Sequence, residues 1–124
     1  MNSPAILIVE NEASNRILIE RVLSTRGYHC ISATNGQEAL NVLDREHVDL
    51  ILTDLSMPVL DGFRTTQLIR ARPHLATVPI VAVTAHALSD EGEAAKQIGC
   101  TEYLTKPFKP RQLLDLVARL LPEK

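Results

Sequence analysis

The chain has 124 residues, 45% hydrophobic and 23% charged, with a formal net charge of −2. That balance excludes a disordered chain and suits one domain able to bury a sizeable core without a disulfide or metal staple. Scattered basic residues and 3% aromatics give no basis for a nucleic-acid footprint or a base-stacking platform.

Met1-Asn2-Ser3-Pro4 lacks the basic segment of a signal peptide, and no apolar run approaches the roughly 18 residues that span a bilayer. Ala5 to Val9 is short, continuous and rich in branched residues, which predicts a buried strand. Asn15 to Arg26 predicts a helix, with Leu18, Ile19, Val22 and Leu23 as its apolar stripe and Gly27 as its stop. Tyr28 to Ala33 predicts a second strand. Asn35 then marks a helix start, with Glu38 placed to reach back three residues and Ala39, Leu40 and Leu43 facing inward.

Val48 to Thr53 predicts the third strand, followed by a loop from Asp54 to about Gly62 that Pro58 and Gly62 break. A third helix is expected over Phe63 to Ala71, stopped by Pro73, and a fourth strand over Ile80 to Val83. A polar fourth helix is expected over Asp90 to Ile98, ended by Gly99, and a fifth strand over Glu102 to Thr105. The last helix, Pro110 to Leu121, buries Leu113, Leu116, Val117 and Leu120, and Pro110 suits its first turn. Five apolar strands alternating with five helices predict an α/β fold: a doubly wound five-stranded parallel sheet covered on both faces. Such sheets bind ligands beyond the carboxyl ends of their strands.

The polar residues at those strand ends are the candidates for chemistry. Glu10, Asn11 and Glu12 follow the first strand, Asp54 the third, Thr84 ends the fourth, and Lys106 follows the fifth. Convergence of carboxylates, a hydroxyl and an ammonium suits phosphoryl transfer. A carboxylate can act as nucleophile, the ammonium and hydroxyl can meet phosphate oxygens, and Mg²⁺ would neutralise the acids. No GxxxxGK[ST] loop is present, which argues against a P-loop nucleotide site.

The segments Ile6–Glu10, Leu52–Gly62, Val83–Ala85 and Lys106–Phe108 together resemble the four signature blocks of response-regulator receiver domains, in order and across essentially the whole chain. The Asp-x-x-Met-Pro-x-x-Asp-Gly block is the most specific of them. The resemblance implies one flavodoxin-like receiver domain over residues 1–124, with strand order 2-1-3-4-5. It implies Asp54 as the phosphoacceptor, served by a histidine kinase or histidine phosphotransfer protein. Glu10, Asn11, Asp54 and the Met57 backbone carbonyl would hold Mg²⁺. Thr84 would be the switch hydroxyl, Lys106 the phosphate-pairing lysine, and Tyr103 the aromatic that reports the switch. Ser56 and His86 would tune loss of the phosphoryl group, and Lys106–Pro107 would be a cis peptide. The face made by the fourth helix, fifth strand and last helix would carry the signal. Such a domain, expected in the cytoplasm, catalyses only its own phosphorylation and dephosphorylation and is not a dedicated enzyme. Its output would be a protein contact or a segment outside the chain.

Asn11 departs from the family pattern, where Asp is usual. An amide oxygen ligates Mg²⁺ without bringing charge, so weakened Mg²⁺ affinity is expected, with Glu12 as a compensating acid. The same departure supports an alternative: a pseudo-receiver that binds partners without phosphorylation. An aspartate-nucleophile phosphatase of the haloacid-dehalogenase type would need a second Asp at position 56, where this chain has Ser56. Glu12-Ala13-Ser14-Asn15-Arg16 resembles the first helix of receivers in hybrid sensor kinases. His29, His47 and His74 match no metal spacing and are expected at the surface, and Cys30 and Cys100 are expected as reduced, partly buried thiols.

Overall fold

Five runs of branched residues become five parallel strands: β1 (Ala5–Val9), β2 (His29–Ala33), β3 (Leu50–Asp54), β4 (Ile80–Thr84) and β5 (Glu102–Thr105). The computed structural model describes residues 3–55, 62–84 and 99–121. Every neighbouring pair in the sheet is parallel, and the strand order is β2-β1-β3-β4-β5. Among the described residues, four α-helices pack on it: α1 (Ala13–Ser24), α2 (Gly36–Arg45), α3 (Gly62–Arg70) and α4 (Pro110–Leu120). The helix expected over Asp90 to Ile98 lies outside the described residues.

Strand alternation divides the core in two. Leu7, Val9, Ile51, Ile80 and Ala82 face α2 and α3, where Ala39, Leu40, Leu43 and Ile69 meet them. Ile6, Ile8, Leu50, Leu52, Val81 and Leu104 face the other way, onto Ile19 and Leu23 of α1 and Leu113, Leu116 and Val117 of α4. Both faces are covered, so β1, β3 and β4 are buried along their whole lengths.

Several boundaries move by a residue or two. Residue α1 begins at is Ala13, not Asn15, and it ends at Ser24; Gly27, at φ 80°, then turns the chain into β2. Leu18 does not join the buried stripe of α1. It is 57% exposed, because the sheet takes only the Ile19–Leu23 line and leaves Val22 half-buried. In α2, Asn35 accepts the Glu38 N–H at 2.9 Å as expected. Glu38, however, accepts from Thr34 N–H at 2.8 Å, because Asn35 is extended and the amide before it is the one in reach.

β3 starts two residues later than expected and ends one later, so Asp54 is the last strand residue, paired with Val83. β4 likewise takes in Thr84. Pro73 ends α3 as expected and opens a short 3₁₀ turn, Pro73–Leu75. In α4, Leu120 is half-buried while Leu113, Leu116 and Val117 are fully packed.

Far from the strand ends that carry the candidate site, Arg70 ties α3 to two loops. Its Nε donates to the Gly99 carbonyl and its Nη1 to the Leu75 carbonyl, both at 2.9 Å. Gly99 sits at φ 117°, and a Cβ there would lie 2.8 Å from Arg70 Cγ, so both conformation and space call for glycine.

Candidate functional site

Register decides which strand-end residues meet. Val9 lies opposite Thr53 and Asp54 opposite Val83, so Glu10 and Asp54 stand side by side at the carboxyl edge. Thr84 lies opposite Thr105, which carries the chain straight into Lys106. Three backbone bonds extend the ladders past the strand ends: Glu10 N–H to the Ala33 carbonyl at 3.0 Å, Leu55 N–H to Val83 at 3.3 Å, and Lys106 N–H to Thr84 at 2.8 Å. The ends are therefore held by main-chain bonds as well as by their side chains. Lys106–Pro107 is cis.

Glu10, Asp54 and Thr84 are all buried. The Lys106 ammonium donates to Asp54 Oδ2 at 3.1 Å and lies 3.7 Å from Glu10 Oε1, so one cation serves two buried carboxylates. The other Glu10 oxygen, Oε2, accepts the Glu12 N–H at 3.1 Å. Burial pushes the Glu10 carboxyl above its ordinary range. The neighbouring Asp54 charge adds to that rise, while the Glu12 amide and the Lys106 ammonium oppose it.

The remaining sequence candidates divide. Asn11 and Glu12 are exposed at the mouth of the cleft, and the Glu12 carboxylate accepts the Ser14 hydroxyl at 3.1 Å. Tyr103 is half-buried and packs against the core cluster on the α2 and α3 face. Ser56, Met57 and His86 lie outside the described residues. His29, His47 and His74 are exposed, as expected; His47 pairs with Asp49 at 2.9 Å. Cys30 is a half-buried free thiol and Cys100 a buried one.

Two features of the site have no counterpart in the sequence reading. Arg16 Nη1 donates to the Glu10 carbonyl at 2.9 Å. A helical side chain covers the turn before its own Cα, so an arginine one turn into a helix that follows a strand-end acid is the signal that could have found this contact. Beside the cleft opens a cavity of about 430 Å³, lined by Glu10, Asn15, Leu18, Ile19, Lys106, Pro107 and Phe108.

The donor set suits Mg²⁺. Two carboxylates stand together in a buried cleft and share the Lys106 ammonium, a donor set that a further cation can join. No group of three or more His, Cys, Asp or Glu converges among the described residues. Mg²⁺ takes one or two carboxylates and completes its shell with water and carbonyl oxygens, which this arrangement allows.

Comparison with known proteins bears on the same cleft. The family described as the response regulator receiver domain matches residues 6–118. The chain is 38% identical over 120 residues to the sensor histidine kinase GacS of Pseudomonas protegens, and 41% identical over 116 residues to the sensor histidine kinase RcsC of Escherichia coli. Each match covers 94% of this chain but only 13% and 12% of those kinases. Among solved structures, the receiver domain of the sensor histidine kinase PA1611 of Pseudomonas aeruginosa, described with a magnesium ion coordinated in its active-site cleft, is 38% identical. It superposes with a TM-score of 0.89, covering 96% of this chain and 98% of that one. The chemotaxis response regulator CheY4 of Vibrio cholerae is 31% identical with a TM-score of 0.91, covering 97% of this chain and 100% of that one.

Proposed function

The chain belongs to the response regulator receiver family of two-component signalling, and on that premise we propose that Asp54 is its phosphoacceptor. The observation that carries this is the Lys106 ammonium set between the two buried carboxylates of Glu10 and Asp54, at 3.7 and 3.1 Å. An ammonium already bonded to the nucleophile is in place for the oxygens of an arriving phosphoryl group.

Asp54 Oδ attacks the phosphorus of a phosphohistidine on a histidine kinase or histidine phosphotransfer protein. The new O–P bond forms as the N–P bond breaks, and the imidazole leaves with the electron pair. Glu10, Asn11, Asp54 and the Met57 carbonyl would hold Mg²⁺, which supplies charge neutralisation for the carboxylates and the phosphoryl oxygens. Lys106 exchanges its bond to the carboxylate for one to a phosphate oxygen. The Thr84 hydroxyl donates to another and so links Asp54 to the segment that follows β4. Ser56 and His86 set how readily water reaches the acyl phosphate. The signal leaves through β5, with Tyr103, the following α4 and the segment over 90–98.

A phosphodonor must place its histidine over Asp54, so its docking surface must border the cleft. Leu18, 57% exposed on α1, lines the cavity beside Phe108 at that border. The high identity to kinase receivers supports a receiver that works within, or opposite, a hybrid kinase. Two free thiols accord with a reducing, cytoplasmic setting. As a signalling module, the chain would turn over no substrate but its own phosphoryl group.

Exposed, uncharged Asn11 favours a second reading, a pseudo-receiver that binds partners without phosphorylation. One experiment separates the two. Incubation with acetyl phosphate and Mg²⁺, followed by intact-mass measurement, is expected to add one phosphoryl group to the parent and none to Asp54→Asn. An unmodified parent, together with no response to beryllofluoride, selects the pseudo-receiver.

A further inference from the structure

The turn from β1 to α1 carries the metal side of the cleft, and it is built without the usual devices. It has no glycine or proline between Val9 and Ala13. Glu12, the residue that precedes α1, makes no side-chain cap to the helix. The turn is instead held by two bonds that both end on Glu10. Its carboxylate accepts the Glu12 N–H at 3.1 Å, and its carbonyl accepts Arg16 Nη1 at 2.9 Å. A third bond, Arg16 N–H to the Glu12 carbonyl at 3.0 Å, fixes the start of the helix from which the guanidinium reaches back.

Glu10 is only 2% exposed, so its carbonyl has little access to water as a replacement partner. A carbonyl bonded to a guanidinium is among the stronger hydrogen bonds a protein makes, because the donor is charged. Without it the peptide that follows Glu10 would lose the bond that fixes its carbonyl, although Glu10 N–H stays on the Ala33 carbonyl. Its carboxylate would then lose its alignment with both Glu12 N–H and Lys106. Asn11 lies between the two residues so bonded, so its direction is set by the same bracket.

We propose that Arg16 is a positioning residue for the phosphoryl-transfer site: by holding the Glu10 carbonyl it sets the direction in which Glu10 and Asn11 face the cleft. This rests on the receiver reading for its consequence, though not for its geometry. Arg16 touches neither Asp54 nor Lys106 in any bond named above, and acts through Glu10. Its charge alone would act in the opposite sense, because a nearby cation disfavours a second one. Removal of Arg16 would then tighten Mg²⁺ binding, and this opposition of signs makes the proposal testable.

The experiment compares the parent chain with Arg16→Ala and Arg16→Lys. Lysine keeps a donor and the charge, and alanine keeps neither. Three quantities are read: amide hydrogen exchange at Glu12 in metal-free buffer, the Mg²⁺ dissociation constant by NMR titration, and the rate of phosphorylation by acetyl phosphate. Loss of one charged hydrogen bond is expected to speed Glu12 exchange and weaken Mg²⁺ binding by about tenfold each in Arg16→Ala, with Arg16→Lys recovering to within about threefold of the parent. Exchange at Leu52 and Val81, in the centre of the sheet, is expected to stay unchanged, which separates a local turn effect from general loss of stability. Tighter or equal Mg²⁺ binding by Arg16→Ala overturns the proposal, as does unchanged Glu12 exchange. A parent that takes up no phosphoryl group overturns the phosphoacceptor reading instead, and leaves the exchange and Mg²⁺ comparisons to decide the role of Arg16.

Discussion

The first two helices of this chain follow the first two strands, yet they are built to different ends. In α2, five of ten residues are buried: Gly36, Ala39, Leu40, Val42 and Leu43. Its start is closed by two bonds, Glu38 N–H to the Asn35 side chain and Thr34 N–H to the Glu38 carboxylate. In α1, only Ile19 and Leu23 of twelve residues are buried, Glu12 makes no side-chain cap, and Leu18 and Ile17 are exposed, Leu18 beside the cleft. α2 is committed to the core. α1 holds its place through two buried residues with Val22 packed beside them, and gives Leu18 and Arg16 to the site. The difference teaches that a helix bordering a reactive cleft can be weakly specified by local signals and still be well placed, because its anchor is the sheet beneath it.

The largest expected effect tests that division directly. Leu43→Ala, in the α2 core, should cost about 3 kcal/mol of unfolding free energy in urea, whereas Leu18→Ala should cost less than about 0.5 kcal/mol. Leu18→Ala should instead slow transfer from a histidine phosphotransfer domain, with the acetyl phosphate rate unchanged. Equal losses of stability in the two variants would remove the contrast altogether. The caps give a smaller difference: Asn35→Ala should lower stability by about 1 kcal/mol, and Glu12→Ala, which deletes no helix cap, by much less, as read from paired thermal unfolding curves.

On the α1 side, Asn11→Asp adds a unit charge at the mouth of the cleft. A charge at close range is worth about 1 kcal/mol even in high dielectric, so Mg²⁺ should bind about fivefold more tightly by titration. Identical affinities for the two proteins would show that residue 11 does not face the ion. The smallest effect concerns Glu10. Its carboxyl is raised above the ordinary value of 4.5, chiefly by burial, so the native state holds this proton more firmly than the unfolded chain does. Ionised Glu10 therefore lowers stability above its folded pKa, and that cost fades as pH falls through the folded value toward 4.5. In chelator-treated buffer, Glu10→Gln should melt above the parent near neutral pH, with the gap narrowing on acidification. A gap that widens on acidification would reverse the assigned direction.

Most of the fold was legible because the strands are continuous apolar runs that only a sheet covered on both faces can bury. β1 and β5 lie where the residue pattern put them, and the polar residues that end β1, β3, β4 and β5 do gather on one edge. The misplacements have a common cause. Leu18 belongs to an apolar stripe wider than the strip of sheet that α1 covers, and stripe width is visible in sequence while the width of the receiving surface is not. Asp54 was expected in a loop because strand ends are set by pairing, here with Val83, and not by the polarity of the residue itself.

The sequence by itself determined the alternation of strands and helices, the α/β class, and the set of residue types at the strand ends. Those are consequences of local periodicity and of which residues can be buried. Only the tertiary structure decided how the set is wired. One lysine is shared between Asp54, 52 positions away, and Glu10; the second oxygen of Glu10 is turned onto Glu12; and Arg16 secures the carbonyl behind it. Contacts across such separations depend on strand register and on where α1 rests, and periodicity carries no information about either.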